Sequence, residues 1–119
     1  MNRTEIKESA INLISEQTRI DGKVTFDRIT RVHGVLNGEV SAKEGSTLIL
    51  AETSMTEGTI RADTLIVDGF VRGEIFATKQ VVISQTGRVV GNIKTASFRL
   101  EPGAYFEGAC VTTPAKTAD

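Results

Sequence analysis

The chain of 119 residues is poor in the residues that many small proteins rely on: it has no tryptophan, one tyrosine, one cysteine, one histidine and two prolines. With Cys110 alone, no intrachain disulfide can form, and a reducing compartment is the simpler setting. No apolar run approaches the roughly 18 residues of a membrane span, and residues 1–19 lack the basic-then-apolar layout of a secretory signal. The expectation is a cytoplasmic protein, neither exported by that route nor spanning a bilayer. Charge of one sign is also missing. Fourteen basic and 15 acidic residues are interspersed and leave a net charge of −1, so no nucleic-acid footprint is expected. Neither a phosphate-cradling glycine-lysine loop nor a dinucleotide fingerprint occurs. His33 alone cannot build a three-histidine zinc site. The chain is therefore expected to be no enzyme and to take no metal or cofactor. Aromatics make up only 5% of the residues, so a core of Val, Ile, Leu and Ala must be narrow.

Glycine, by contrast, is placed with regularity. Starting at Gly22, Gly38, Gly58, Gly73, Gly91 and Gly108 the chain reads GKVTF, GEVSA, GTIRA, GEIFA, GNIKT and GACVT. Two residues after each glycine stand Val24, Val40, Ile60, Ile75, Ile93 and Cys110, and two before stand Ile20, Leu36, Thr56, Val71, Val89 and Phe106. Alternation at period two puts these positions on one face of a strand. The spacings are 16, 20, 15, 18 and 17 residues, and a second alternating set falls between the copies at Leu48/Leu50, Leu65/Val67, Val81/Ile83 and Phe98/Leu100. Each repeat thus carries more than one strand.

A period near 17 with several short strands per repeat predicts an all-β fold, a β-solenoid of about six turns in which each turn rests on the last. Glycine weakens a lone strand, because it is costly to order and offers nothing to pack. Its recurrence here implies a structural demand. Gly73 is read as an inward corner position where a side chain would collide with the stacked core, and the other five glycines repeat that role. Cys110 shares the inward phase with Val24 and Ile93 and reads as a small buried hydrophobe rather than a nucleophile. His33 falls on the outward phase, as do Glu39, Glu57, Glu74 and Glu107, which are expected to solubilise the sides of the rod in salt-bridged faces. Six turns at about 4.8 Å each give a rod on the order of 30 Å long.

The runs TRIDGKVTFDRITRVHGVLNGEVSA, DTLIVDGFVRGEIFAT, GRVVGNIKT and LEPGAYFEGACV together resemble the core of the bactofilins, over about residues 18 to 113. The resemblance implies a right-handed, three-sided parallel β-helix that polymerises end to end without nucleotide under the inner membrane. It also implies work in cell shape, cell-wall organisation or the positioning of partitioning proteins. The rival fold, the left-handed β-helix of hexapeptide acyltransferases and carbonic anhydrases, needs a strict six-residue period and catalytic or zinc-binding histidines, and the chain has neither.

An open stack exposes unpaired backbone and an uncovered apolar layer at both ends unless caps hide them. Residues 114–119, with Pro114, cannot form a covering helix and are expected to be a disordered tail. The candidate polymerisation surfaces are therefore Tyr105, Phe106, Phe98 and Leu100 in the last turn, and Ile20, Val24 and Phe26 in the first. Residues 1–17 read as a tail with a short amphipathic helix, Thr4 as N-cap, and Ile6, Ala10, Leu13 and Ile14 on one face. Four roles stay open for it: membrane contact through Ile6, Leu13 and Ile14, capping of the first turn, partner binding, or disorder. A membrane role meets two objections. Arg3, Lys7 and Arg19 are matched by Glu5, Glu8 and Glu16, and no Trp or Phe is present to seat in the interface. The expected partner is a second copy of the chain, with inner-membrane lipid and cell-wall or partitioning proteins implied by the resemblance. The alternative function is a non-polymerising solenoid that docks a partner protein on a flat face.

Overall fold

The period-two alternation becomes ten strands, all paired in parallel, in a computed structural model that describes residues 11–113. Each turn contributes one short run and one longer run, and both lie over the equivalent runs of the turn before. The short runs include β1 (Ile11–Ile14), β3 (Ile29–Val32), β5 (Thr47–Leu50) and β9 (Phe98–Leu100). The longer runs include β2 (Arg19–Phe26), β4 (Val35–Ala42), β8 (Arg88–Thr95) and β10 (Tyr105–Thr112). In the middle of the stack consecutive runs fuse. Strand β6 (Met55–Val67) joins the long run of the third turn to the short run of the fourth, and β7 (Phe70–Ile83) does the same one turn on. The result is an all-β solenoid of six turns, with no helix among the described residues.

Register is set by the glycines, which pair in one unbroken file from Gly22 through Gly38, Gly58, Gly73 and Gly91 to Gly108. The unequal spacings come from the corners. Between Gly22 and Gly38 each corner holds two residues, 27–28 and 33–34, whereas between Gly38 and Gly58 each holds four, 43–46 and 51–54. The longer corners close as β-turns, with the Ser46 amide donating to Lys43 O at 3.0 Å and that of Ser54 to Ala51 O at 2.9 Å. Straight runs are held nearly constant because their residues must stack. Corners are free to vary because they project.

The expected inward phase holds on either side of each glycine, but the glycine itself is not an inward residue. Leu36 and Val40 are buried while Gly38 between them is exposed, and Val71 and Ile75 are buried around a partly exposed Gly73. The strand bends at Gly73, whose φ is +140°, a region that favours glycine. There a Cβ would point along the stack into the carbonyl oxygen of Gly58, so the collision is with backbone of the neighbouring turn rather than with core side chains. The same obstruction recurs at each later glycine of the file, while Gly22, at the start, has nothing beneath it among the described residues.

The N-terminal segment also departs from expectation. Instead of ending an amphipathic helix, residues 11–14 form strand β1, which pairs with Ile29–Val32 and extends the solenoid upstream of residue 18. Alternation then separates two residues expected to share a face: Ile14 packs against the core, and Leu13 points away from it at 62% exposure. Thr4, Ile6 and Ala10 lie outside the described residues, as do residues 114–119.

Thr30, Ser46, Ser54, Thr56, Asp63 and Thr95 are buried polar residues of the stack, and Asp63 and Thr56 stand apart in how their polar atoms are satisfied. Asp63 is the single residue at the corner between the third and fourth turns, and it accepts from the Gly45 amide and the Thr78 hydroxyl in the corners on either side. The Thr78 hydrogen bond, then that of Gly45, holds its carboxyl below the usual carboxylate range against the opposing effect of burial, with Lys79 nearby adding to the lowering. Thr56 stands in the inward file between Leu36 and Val71, fully buried, and its hydroxyl has no hydrogen-bond partner.

Candidate assembly surfaces at the two ends

The two ends of the stack are open in two senses. Among the described residues, strands β1 and β2 have no neighbour on the side away from β3 and β4, and β9 and β10 have none beyond β7 and β8, so the side chains of these turns meet described core residues on one side only. In the last turn Phe98 and Phe106 are partly buried and pack on the core, their rings 5.5 Å apart and tilted by 56°. Such a tilted pair closes the aliphatic column beneath it, and among the described residues nothing covers its upper surface. Leu100, in the same turn, is 46% exposed. In the first turn Ile14, Ile20 and Val24 are likewise half-buried, and Phe26 is folded into the core at 8% exposure.

The predicted end residues therefore divide. Phe98, Leu100 and Phe106 share the uncovered C-terminal layer, and Ile20 and Val24 share the N-terminal one. Phe26 offers little accessible surface, and Tyr105 belongs to the outer side of the rod, with its hydroxyl donating to Glu107 at 2.6 Å. That hydrogen bond raises the tyrosine pKa. Ile14 is a terminal-layer residue outside the repeat alignment, since the helix expected there turns out to be strand β1. Its signal in the sequence is the pair Asn12/Ile14, which continues the file of Thr30/Val32 and Leu48/Leu50.

The chain matches the family model described as Bactofilin, polymer-forming cytoskeletal, over residues 12–111. It belongs to the bactofilin family. Among curated relatives it is 30% identical over 99 residues to Bactofilin BacO of Myxococcus xanthus (strain DK1622), covering 83% of this chain and 77% of BacO. It is 33% identical over 89 residues to Bactofilin BacP of the same organism, covering 75% of this chain and 36% of BacP, so it spans about a third of that relative's length. No solved structure matches the chain. Membership makes this a protein of a polymer-forming cytoskeletal family, a structural rather than an enzymatic class.

The remaining predicted residues of this bactofilin are placed as follows. Cys110 lies in the last turn over Ile93, partly exposed, and burial raises its thiol pKa. His33 sits in a two-residue corner beside Thr53, whose hydroxyl donates to the His33 carbonyl at 3.0 Å. Of the outward glutamates, Glu39 pairs with Lys23 at 3.6 Å and Glu57 with Arg72 at 3.7 Å, while Glu74 accepts from Asn92 at 3.0 Å. All three contacts run between adjacent turns and are exposed, so each contributes little to stability. Among the described residues no group of three or more His, Cys, Asp or Glu side chains gathers as a metal site, and no helix is long and apolar enough to cross a membrane.

Proposed function

We propose that this bactofilin is the subunit of a filament that grows by stacking solenoid ends, without nucleotide, and serves the cell as a scaffold. The observation that carries the reading is the pair of end layers left uncovered among the described residues: a half-buried apolar layer and an unpaired strand edge coincide at each end. A second copy would satisfy both at once, continuing the β-ladder and covering the layer. Phe106 is the central contact at the C-terminal end, supported by Phe98 and Leu100, and Ile14, Ile20 and Val24 serve at the other. Burying Phe106 against a neighbour would contribute roughly 2 to 3 kcal/mol. Association with the inner membrane, with lipid contact through Ile6 and the outward Leu13, extends the proposal, as do roles in cell shape, cell-wall organisation or protein positioning.

Electron microscopy of the purified chain without nucleotide or metal is the test. Filaments are expected, and a monodisperse monomer at high concentration would favour the alternative, a binding module that docks a partner on one flat side. Cys110 offers a check on polarity, since each chain has one. A non-polar filament needs C-terminal end against C-terminal end, which brings two copies of Cys110 to one contact; a head-to-tail filament does not. A bismaleimide whose spacer is well short of the subunit's own length should give covalent dimers in the first case and none in the second. Flotation with liposomes tests the membrane part separately.

A further inference from the structure

Strand β1 implies a long run before it. Ile11 pairs with Ile29, and Ile29 follows β2 across the two-residue corner 27–28. A corner of the same length before Ile11 is Ser9 and Ala10, which sets residues 1–8 over Arg19–Phe26. In that register Arg3 lies over Asp21, Glu5 over Lys23, and Ile6 over Val24 in the inward file of Val40, Ile60 and Ile75. Opposite charges across neighbouring strands are favourable and like charges costly. The chain's other corner lengths at this place are one residue, at Asp63, and four, at 43–46. One residue would turn Arg3 and Lys7 inward, and four would set Arg3 on Lys23. Only the two-residue corner matches both charge and phase.

The open edge of β2 has room for such a strand. In the second to sixth turns the first amide of the long run donates to a carbonyl of the turn before, as Val35 does to Thr18 at 2.9 Å and Tyr105 to Gly87 at 3.0 Å. Arg19 holds the equivalent place, and among the described residues no strand lies below it. Gly38 fits over the Gly22 carbonyl because it has no Cβ, and Gly22, bent likewise at φ +120°, leaves the same room for the carbonyl of Thr4. The Cβ of Thr4 would point away from the stack, so only the strain of the bend opposes it. Glu8 would stand over Phe26 at the end of the run, where its carboxylate reaches water. The Met1 amine would approach Arg19, so pairing begins at Asn2.

A strand on this edge competes with a second copy for the end. Joined to β1 by two residues, it meets the edge at an effective concentration on the order of millimolar, well above that of dilute subunits. Ile6 on Val24 would cover part of the apolar layer that end-to-end growth uses. Ile6 cannot serve the core and a bilayer at once, so lipid that takes it would open the end to growth.

We propose that residues 2–8 pair in parallel along β2 of their own chain and cover the N-terminal end, which a second copy reaches only by displacing them. The competition rests on the end-to-end reading above, and the strand is tested apart from assembly. In a Cys110→Ser chain held dilute, Glu5→Cys with Lys23→Cys is oxidised beside Glu5→Cys with Asp21→Cys, a pair that the register separates by the bend at Gly22. A disulfide within the chain is expected in severalfold higher yield for the first pair, and equal yields would overturn the strand. Should the Lys23→Cys chain fail to fold by circular dichroism, Lys7→Cys with Thr25→Cys, set against Lys7→Cys with Asp21→Cys, decides in the same way. Competition is read as the concentration above which the chain pellets. Ile6→Lys, outside the described solenoid, should lower that concentration severalfold, and Ile6→Val should leave it unchanged. A threshold that Ile6→Lys leaves unmoved or raises would overturn the proposal. Filaments from none of the three chains would overturn end-to-end growth and the competition with it, while the disulfide yields still decide the strand.

Discussion

The fourth and sixth turns share one inward pattern on one backbone path and differ in what lies above them. In the fourth, Val71 and Ile75 are fully buried; in the sixth, their equivalents Phe106 and Cys110 are partly exposed. Side-chain size follows the same division. The inward positions of the second to fifth turns are aliphatic residues, Ala and Thr, whereas the three inward phenylalanines, Phe26, Phe98 and Phe106, stand in the first and last turns. A layer spaced about 4.8 Å from both neighbours has little room for a ring, and a terminal layer with one free side has more. The two ends also differ from each other. Edge strand β2 carries Arg19, Asp21 and Lys23, while β10 carries only Glu107. Charge along an exposed edge discourages pairing with another chain, so the C-terminal edge is the less guarded.

The largest expected effect sharpens the contrast between middle and end. Gly73→Val places a side chain against the Gly58 carbonyl at a backbone angle unsuited to it, and the clash and the strain together cost about 4 kcal/mol or more. Gly22→Val carries the strain of φ +120° but meets none of the described residues beneath, so about 1 to 2 kcal/mol is expected. Equal denaturation midpoints for the two variants would break the comparison. Next in size is a chain beginning at Thr18. It loses β1 and uncovers Val32, and a drop of roughly 3 kcal/mol in urea unfolding is expected. Unaltered stability would mean that the first turn does not need β1.

Asp63 tests cohesion between middle turns. Asp63→Ala removes the acceptor shared by Gly45 and Thr78 and should cost about 2 kcal/mol near neutral pH. Because its folded pKa lies below the unfolded value, the carboxylate's contribution is fully present above the unfolded pKa and is lost as pH falls through the folded one. Thermal melts between pH 3 and 7 should therefore show a smaller acid loss in Asp63→Asn than in wild type, and parallel curves would remove Asp63 from the account. The smallest effect has the opposite sign. Thr56→Val replaces an unpaired buried hydroxyl with the residue that follows it in the file, at Val71 and Val89, and should stabilise by about 1 kcal/mol. A destabilised variant would show that the hydroxyl has a partner in solution.

The repeat, its parallel stacking and its six turns were legible in the sequence because stacking imposes period two and one glycine file on every turn. The orientation of the glycines was not legible. Alternation alone puts Gly73 in phase with Val71 and Ile75, and it says nothing of a bend at φ +140° that turns the missing Cβ along the stack. Strand β1 is hidden for a related reason: INLI serves a helix face as well as a strand, and its partner Ile29–Val32 alternates Thr30 with Val32, a weaker apolar signal than Leu48/Leu50. The end residues were partly legible. Phe106 could be placed because it continues the inward file of Val71 and Val89 into the last repeat, and Tyr105, one residue before it, falls on the outward phase; Phe26 was not legible, since how far an end side chain folds back into the core depends on packing.

End-to-end assembly is tested most directly by sedimentation of Phe106→Arg beside wild type, with circular dichroism on both. Wild type is expected to pellet as filaments. A charge in the terminal layer cannot be cheaply desolvated, and losing 3 kcal/mol per contact weakens it more than about 100-fold, so the variant should stay in the supernatant with an unchanged β-rich spectrum. A variant that folds and pellets as wild type does would contradict the account.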